Sequence, residues 1–163
     1  MLSELQPIAF RTFPPDHYWL GSLASAQALV ASGTGDYSTA QALADRAVHI
    51  VEAASKAGKA GSDFLPVALL RRATVELASG HPDQASADAQ RALTLLQAAT
   101  PSGQSSYLLA TAYSTLGHAM QAQGKHDEAR AAFRSAANQF QDTLGPEHAE
   151  SRIALRLAKD DAR

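Results

Sequence analysis

Three times along this chain a glycine is followed five positions later by an alanine: Gly35 and Ala40, Gly80 and Ala85, Gly124 and Ala129. The glycines stand 45 and then 44 residues apart. A fixed period of roughly 20 to 50 residues marks stacked supersecondary units, each unable to bury its apolar face alone. That interval constrains the fold more than any single residue does.

After each glycine the apolar spacing is helical. In the third unit Ala129, Ala132, Phe133, Ala136, Ala137 and Phe140 fall at i, i+3, i+4, i+7, i+8 and i+11. Ala40, Leu43, Ala44, Ala47, Val48 and Val51 repeat the pattern in the first unit, and Ala85, Ala89, Ala92, Leu93 and Leu96 in the second. A further helical stretch precedes each glycine, clearest at Leu109, Ala112, Tyr113, Leu116 and Met120. Each unit is therefore a helical hairpin, with Gly35, Gly80 and Gly124 at the left-handed position where a first helix stops. Pro82 opens the following helix, and Asp36, Asp83 and Asp127 favour the same start by capping or through the dipole.

Pro15-Asp16-His17 and Pro146-Glu147-His148 keep the same beat, 131 residues apart, so the chain holds three whole units and the beginning of a fourth. The units span about 16–57, 62–100 and 104–144, with a closing helix over 146–160. Ala149, Ile153 and Leu157 would form the buried side of that helix, and Arg152, Arg156 and Lys159 a solvated outer face. The turn formers of 53–64 and of 99–106 predict loops between units. Residues 1–15 read as an N-terminal segment, the remnant of a preceding repeat, so the chain would be the tail of a longer protein.

The formal charge is -2, with 14 basic and 16 acidic residues interleaved, which offers no electrostatic footprint for nucleic acid or anionic lipid. No cysteine is present, and the N-terminus lacks a basic region followed by an apolar core. No apolar run approaches the ~20 residues needed to cross a bilayer. A cytoplasmic protein without membrane or nucleic-acid partners is expected. Catalysis finds little footing. Gly58-Lys59 is followed by Ala60 where a phosphate loop needs Ser or Thr, and Ala53 stands in place of its leading glycine. His148-Ala149-Glu150 has the wrong spacing for a zinc helix. His81 and His126 share one turn position, and His17 and His148 both follow a Pro-acid pair. The histidines thus read as solvated or capping groups, and no catalytic residue, metal or cofactor is expected.

The third unit resembles a tetratricopeptide repeat, carried by Tyr113, Leu116-Gly117, Gly124, Ala129, Phe133 and Ala136 in register. The 44-residue period and the Leu144-Gly145-Pro146-Glu147-His148 junction are similar to the longer repeats of kinesin light chains and bacterial signalling proteins. The resemblance covers roughly 16–160 and implies an all-α fold: a right-handed α-solenoid of three helical hairpins plus a C-terminal capping helix. Gly117 and Ala129 permit close helix approach, with Ala28, Ala73 and Ala85 taking that part in the other units. Unit two departs from the pattern, with Arg72 and Glu76 where unit three has Leu116 and Met120, as does unit one with Gln27. Arg72 and Glu76 are spaced to pair across one helical turn.

In that family the first helices of successive units line a concave groove for an extended peptide or helix. The resemblance places Ser25 and Leu29, then Leu70, Thr74 and Leu77, then Ser114, His118 and Gln121 along it, with Arg71 and His118 as hydrogen-bonding groups. The family's chaperone-tail binders need Lys and Asn near Ser114 and Thr115; neither is present, which removes that ligand class. The expected function is a non-enzymatic scaffold for a protein or peptide partner, the regulatory tail of a larger bacterial signalling protein. The alternative is a self-association module in which Leu5, Ile8, Phe10 and Phe13 pair two arrays, the chain being a monomer or weak homodimer. Trp19, beside Tyr18, either anchors a partner or packs with Leu23, Phe10 or Phe13.

Overall fold

The three repeat glycines adopt φ of 83° at Gly35, 82° at Gly80 and 75° at Gly124, in the left-handed region that side chains disfavour. Each ends a helix. The amide of Gly35 donates to Ser32 O and that of Asp36 to Ala31 O, both at 3.0 Å. Gly124 donates to Gln121 O at 3.0 Å and Lys125 to Met120 O at 2.9 Å, the same pairing again. Such a closure satisfies carbonyls that a helix end leaves open and reverses the chain. Asp36 then accepts the Thr39 amide at 3.1 Å, starting the next helix. Hydrogen bonds from Thr39, side chain first and backbone second, hold the Asp36 carboxyl below its ordinary value.

A computed structural model of the chain describes residues 12–14, 17–57 and 62–159. Among them are seven α-helices and no strand: α1 (Tyr18–Gly33), α2 (Tyr37–Lys56), α3 (Leu65–Ala78), α4 (Pro82–Ala99), α5 (Tyr107–Ala122), α6 (His126–Leu144) and α7 (Ala149–Lys159). A 3-10 turn, Ser62–Phe64, leads into α3, and Pro66 occupies its first turn. The chain divides into two compact units, 1–80 and 81–163.

In the first unit α1 packs on both α2 and α3. Ala28, Ala40, Ala44 and Val75 form one cluster, with Leu29 and Leu43 half-buried against it. A Cβ added at Gly21 would lie 2.7 Å from Val51 Cγ2 and 3.1 Å from the Ala47 carbonyl, so glycine sets the contact of α1 with α2. The stretch with the unusual pair keeps its helical register, for Leu69, Ala73 and Val75 are all closed to solvent. Arg72 bridges Glu76 at 3.7 Å, as the spacing predicts, and also reaches Asp45 on α2 at 3.1 Å. The pairing offsets the cost of burying the Glu76 carboxylate.

In the second unit α4 packs on α5, α5 on α6, and α6 on α7. Ala129, Phe133 and Ala158 form one cluster, and Ala110, Ala136, Ala137, Phe140 and Ala154 another, with Tyr113 and Leu116 on the same buried side of α5. The Phe133 ring lies over Gly117, where an added Cβ would sit 2.7 Å from it. Polar ties join the helices. Gln97 Nε2 donates to Tyr113 Oη at 3.0 Å, Gln123 Nε2 to the Pro82 carbonyl at 3.0 Å, and the Ser106 amide to Gln139 Oε1 at 2.9 Å.

Three expectations need correction. The first inter-unit loop begins later than 53, because α2 continues to Lys56. Pro146 to His148 form a turn, and α7 starts only at Ala149. The buried face of α7 is Ser151, Ala154 and Ala158, whereas Ala149 and Ile153 are exposed, Ile153 by 47%, and Leu157 is only half-buried. Small side chains allow α7 to lie close on α6, and the Ser151 hydroxyl donates to the Gly145 carbonyl at 2.8 Å. Leu5, Ile8, Phe10 and most of the 1–15 segment fall outside the described residues, as does Gly58-Lys59.

Because the Phe133 ring already fills the space over Gly117, Gly117→Val is expected to destabilise the protein by about 1–3 kcal/mol. Urea unfolding measures it, and an unchanged midpoint would show that the contact is not tight.

Candidate functional site

Helix α5 presents one accessible stripe. Tyr107, Thr111, Ser114, His118 and Gln121 follow one another at steps of four, three, four and three residues, which aligns them on a single helix face. Tyr107 is 48% exposed, His118 and Gln121 are exposed, and Ser114 is half-buried. The opposite face, from Leu109 and Ala112 to Leu116 and Ala119, is buried. Ionic groups are absent from the stripe, so it suits a partner held by shape and hydrogen bonds.

His118 joins the stripe to the core. Its ring meets Phe133 edge-on, with centroids 5.0 Å apart. One edge stays in solvent while the remainder is packed, and that desolvation pushes the imidazole below its ordinary value. At neutral pH the ring is uncharged, with one nitrogen able to donate and the other to accept.

The expected groove residues of the first unit are arranged differently. Ser25 is only 1% exposed; its hydroxyl donates to the Ser22 carbonyl at 2.9 Å and accepts from Arg71 Nη1 at 2.7 Å. The Arg71 guanidinium also lies over the Phe64 ring, 5.6 Å from its centroid. Burial lowers its pKa, and the hydroxyl and the ring supply the compensating contacts. Ser25 and Arg71 therefore face each other, tying α1 to α3. Leu70 is closed to solvent, Leu29 and Leu77 are half-buried, and Thr74 is exposed with its hydroxyl donating to the Leu70 carbonyl at 2.9 Å. The apolar centre expected around Leu70 is inside the protein, and α3 offers mainly Thr74 and the edge of Leu77.

Two exposed aromatics stand apart, of which the sequence singled out Trp19 and missed Tyr107. Trp19 is 52% exposed and not packed away, ending a stacked row of Phe13, His17, Tyr18 and Trp19 whose successive ring centroids lie 4.5, 4.9 and 5.5 Å apart. His17 Nδ1 accepts the Trp19 amide at 3.3 Å, which makes this histidine a helix cap, as its position implied. Tyr107 was visible as an aromatic just past the 99–106 loop, but nothing in the repeat pattern marked it as exposed. Among the described residues no three His, Asp or Glu side chains are grouped to hold a metal ion. Nor is any helix among them long and apolar enough to cross a membrane.

These hairpins, with an alanine-lined interface behind a left-handed glycine, are the geometry of tetratricopeptide repeats. Residues 108–162 match the tetratricopeptide repeat family. The TPR domain of Sgt2 from Aspergillus fumigatus superimposes with a TM-score of 0.62 at 21% identity, over 85% of this chain and 76% of that one. No curated protein matches the sequence. The sequence match is confined to residues 108–162, and the described residues share the all-α helical-hairpin fold of that tetratricopeptide domain.

Since His118 is harder to protonate in the folded chain than in the unfolded one, the unfolded state takes up the proton first as pH falls. Its contribution to stability is complete above about pH 6.5 and declines below it. Between about pH 7.5 and pH 5.5 the melting temperature of His118→Gln should therefore fall less than that of the parent protein. Equal falls would mean that the ring titrates normally.

Proposed function

We propose that this chain is a non-enzymatic interaction module that holds an extended peptide or a partner helix along α5. Tetratricopeptide folds serve generally as protein-interaction scaffolds, and the third unit is the one whose sequence matches that family. The observation that carries the reading is the stripe itself: Ser114, His118 and Gln121 remain accessible on a helix whose other faces are packed. A neutral face of this kind selects partners through hydrogen bonds to the Ser114, His118 and Gln121 side chains and through apolar contact with the Tyr107 ring. Within the first unit Thr74 and Leu77 form a separate, smaller surface of the same character. Ser25 and Arg71, which satisfy each other, stiffen it.

The context we infer is a larger bacterial signalling protein in the cytoplasm, for which such repeats act as the regulatory interaction module. The long repeat unit and the Leu144-Gly145-Pro146-Glu147-His148 junction support that reading. Immunoblotting the native polypeptide from its own cell tests it, because a product no larger than 163 residues removes the regulatory-tail reading.

For the binding face, peptides selected from a display library against the immobilised protein should bind α5. Their affinity, read by fluorescence anisotropy, is expected to weaken by about tenfold or more in a Ser114→Lys/Gln121→Lys variant. Trp19→Ala should leave it unchanged. Selected peptides indifferent to the α5 changes would remove the stripe from consideration.

A further inference from the structure

Helix α7 stands in the same repeat position as α1, which allows the two to be compared residue by residue. Each begins one residue after a histidine whose amide closes a turn, His17 to the Pro14 carbonyl at 2.9 Å and His148 to the Gly145 carbonyl at 3.3 Å. With His17 set against His148, the α1 residues Gly21, Ala24, Ser25 and Ala28 fall on Arg152, Leu155, Arg156 and Lys159. In α1 that face is buried: Gly21 meets Val51 and Ala47, Ser25 takes the Arg71 hydrogen bond, and Ala28 packs with Ala40, Ala44 and Val75. In α5 the matching residues are Ala110, Tyr113, Ser114 and Gly117, and Gly117 lies under the Phe133 ring.

The corresponding face of α7 is uncovered among the described residues. Arg152, Leu155, Arg156 and Lys159 line a shallow depression of about 420 Å³, and Ala149, Arg152, Ile153 and Arg156 line another of about 280 Å³. Arg152, Arg156 and Lys159 have no acidic partner among the described residues, while Glu150 is engaged by His148, with Oε2 2.5 Å from Nδ1. A preference for cations near a helix C-terminus accounts for Arg156 and Lys159 but not for Arg152, which sits in the first turn. Another repeat helix does not suit this face, because Arg152 and Lys159 stand where α1 carries Gly21 and Ala28 and α5 carries Ala110 and Gly117 for close approach.

We propose that the Arg152, Leu155, Arg156 and Lys159 face of α7 docks an acidic amphipathic helix of a partner protein. Carboxylates one turn apart on such a helix meet Arg152 and Arg156, while its apolar side chains cover the accessible edge of Leu155. Three cations without an acidic partner among the described residues, side by side on one exposed face and bordered by the accessible edge of Leu155, define that complement by charge and by shape. This surface lies on a different helix from the α5 stripe, so either can fail without the other.

A synthetic helical peptide with glutamates and leucines on one side tests the assignment against the full chain, with a glutamine-for-glutamate peptide as control. Anisotropy should show binding of the glutamate peptide that weakens between low salt and about 0.15 M salt. Arg152→Glu/Arg156→Glu should reduce it by about tenfold or more with helicity unchanged, and Arg152→Gln/Arg156→Gln by less. Failure to bind, equal binding of the glutamine peptide, or binding indifferent to both variants overturns the proposal. Stronger association with phosphatidylserine vesicles than with the peptide overturns it in favour of a membrane surface. Binding that appears only in Asp160→Asn/Asp161→Asn overturns it in favour of the chain's own tail.

Discussion

Close approach of paired helices at positions too small to hold them apart is the constraint from which the remaining structure follows. Where Phe133 lies on Gly117 and Val51 on Gly21, the space a Cβ would need is taken by the opposing side chain. Ala28 with Ala40 and Ala44 makes the same kind of contact in the first unit. Protein interiors are packed about as densely as organic crystals, so such contacts convert small side chains into many dispersion contacts at short range. With the buried face of each helix settled in this way, the outward face is settled too, and the α5 stripe is the remainder left by Leu109, Ala112, Leu116 and Ala119.

Polar side chains inside the first unit act on alignment more than on adhesion. Arg72 holds Asp45 and Glu76 at once, and Arg71 holds Ser25 while covering Phe64. Removing Arg72 or Arg71 leaves the buried Glu76 carboxylate or Ser25 hydroxyl without that partner, which costs more than replacing both partners with packed apolar groups. Such pairs therefore penalise a shift of α3 along α1 or α2 more sharply than aliphatic contacts would. Equivalent positions in the third unit hold Leu116 and Met120. The second and third repeats thus reach one helical pattern by different means.

The hairpins were legible in the sequence because a left-handed glycine and a helical run of alanines are local signals, and Gly35, Gly124, Ala40 and Ala129 all stand where that logic places them. The face of α7 was not legible. Ala149, Ile153 and Leu157 and the true set Ser151, Ala154 and Ala158 share the helical period, and hydrophobicity ranks the first set higher. Close packing on α6 reverses that ranking, since the nearer surface takes the smaller side chains. Gly21 was passed over for a related reason: a glycine inside a helix weakens the local signal, and the Val51 contact that explains it lies 30 residues away. In the candidate site, Ser114, His118 and Gln121 share an accessible face. Ser25 and Leu70 do not, because surface exposure depends on neighbours that a repeat pattern does not specify.

The reversals at Gly35 and Gly124 are each completed by hydrogen bonds within six consecutive residues. A nascent chain lengthens by about 5–20 residues per second, while helices form in about a microsecond or less. Both arms of a hairpin can therefore be wound and turned back on one another before the next arm has left the ribosome. Assembly from the amino end needs no distant strand to wait for, and the contacts that close each hairpin are among those a growing chain meets first.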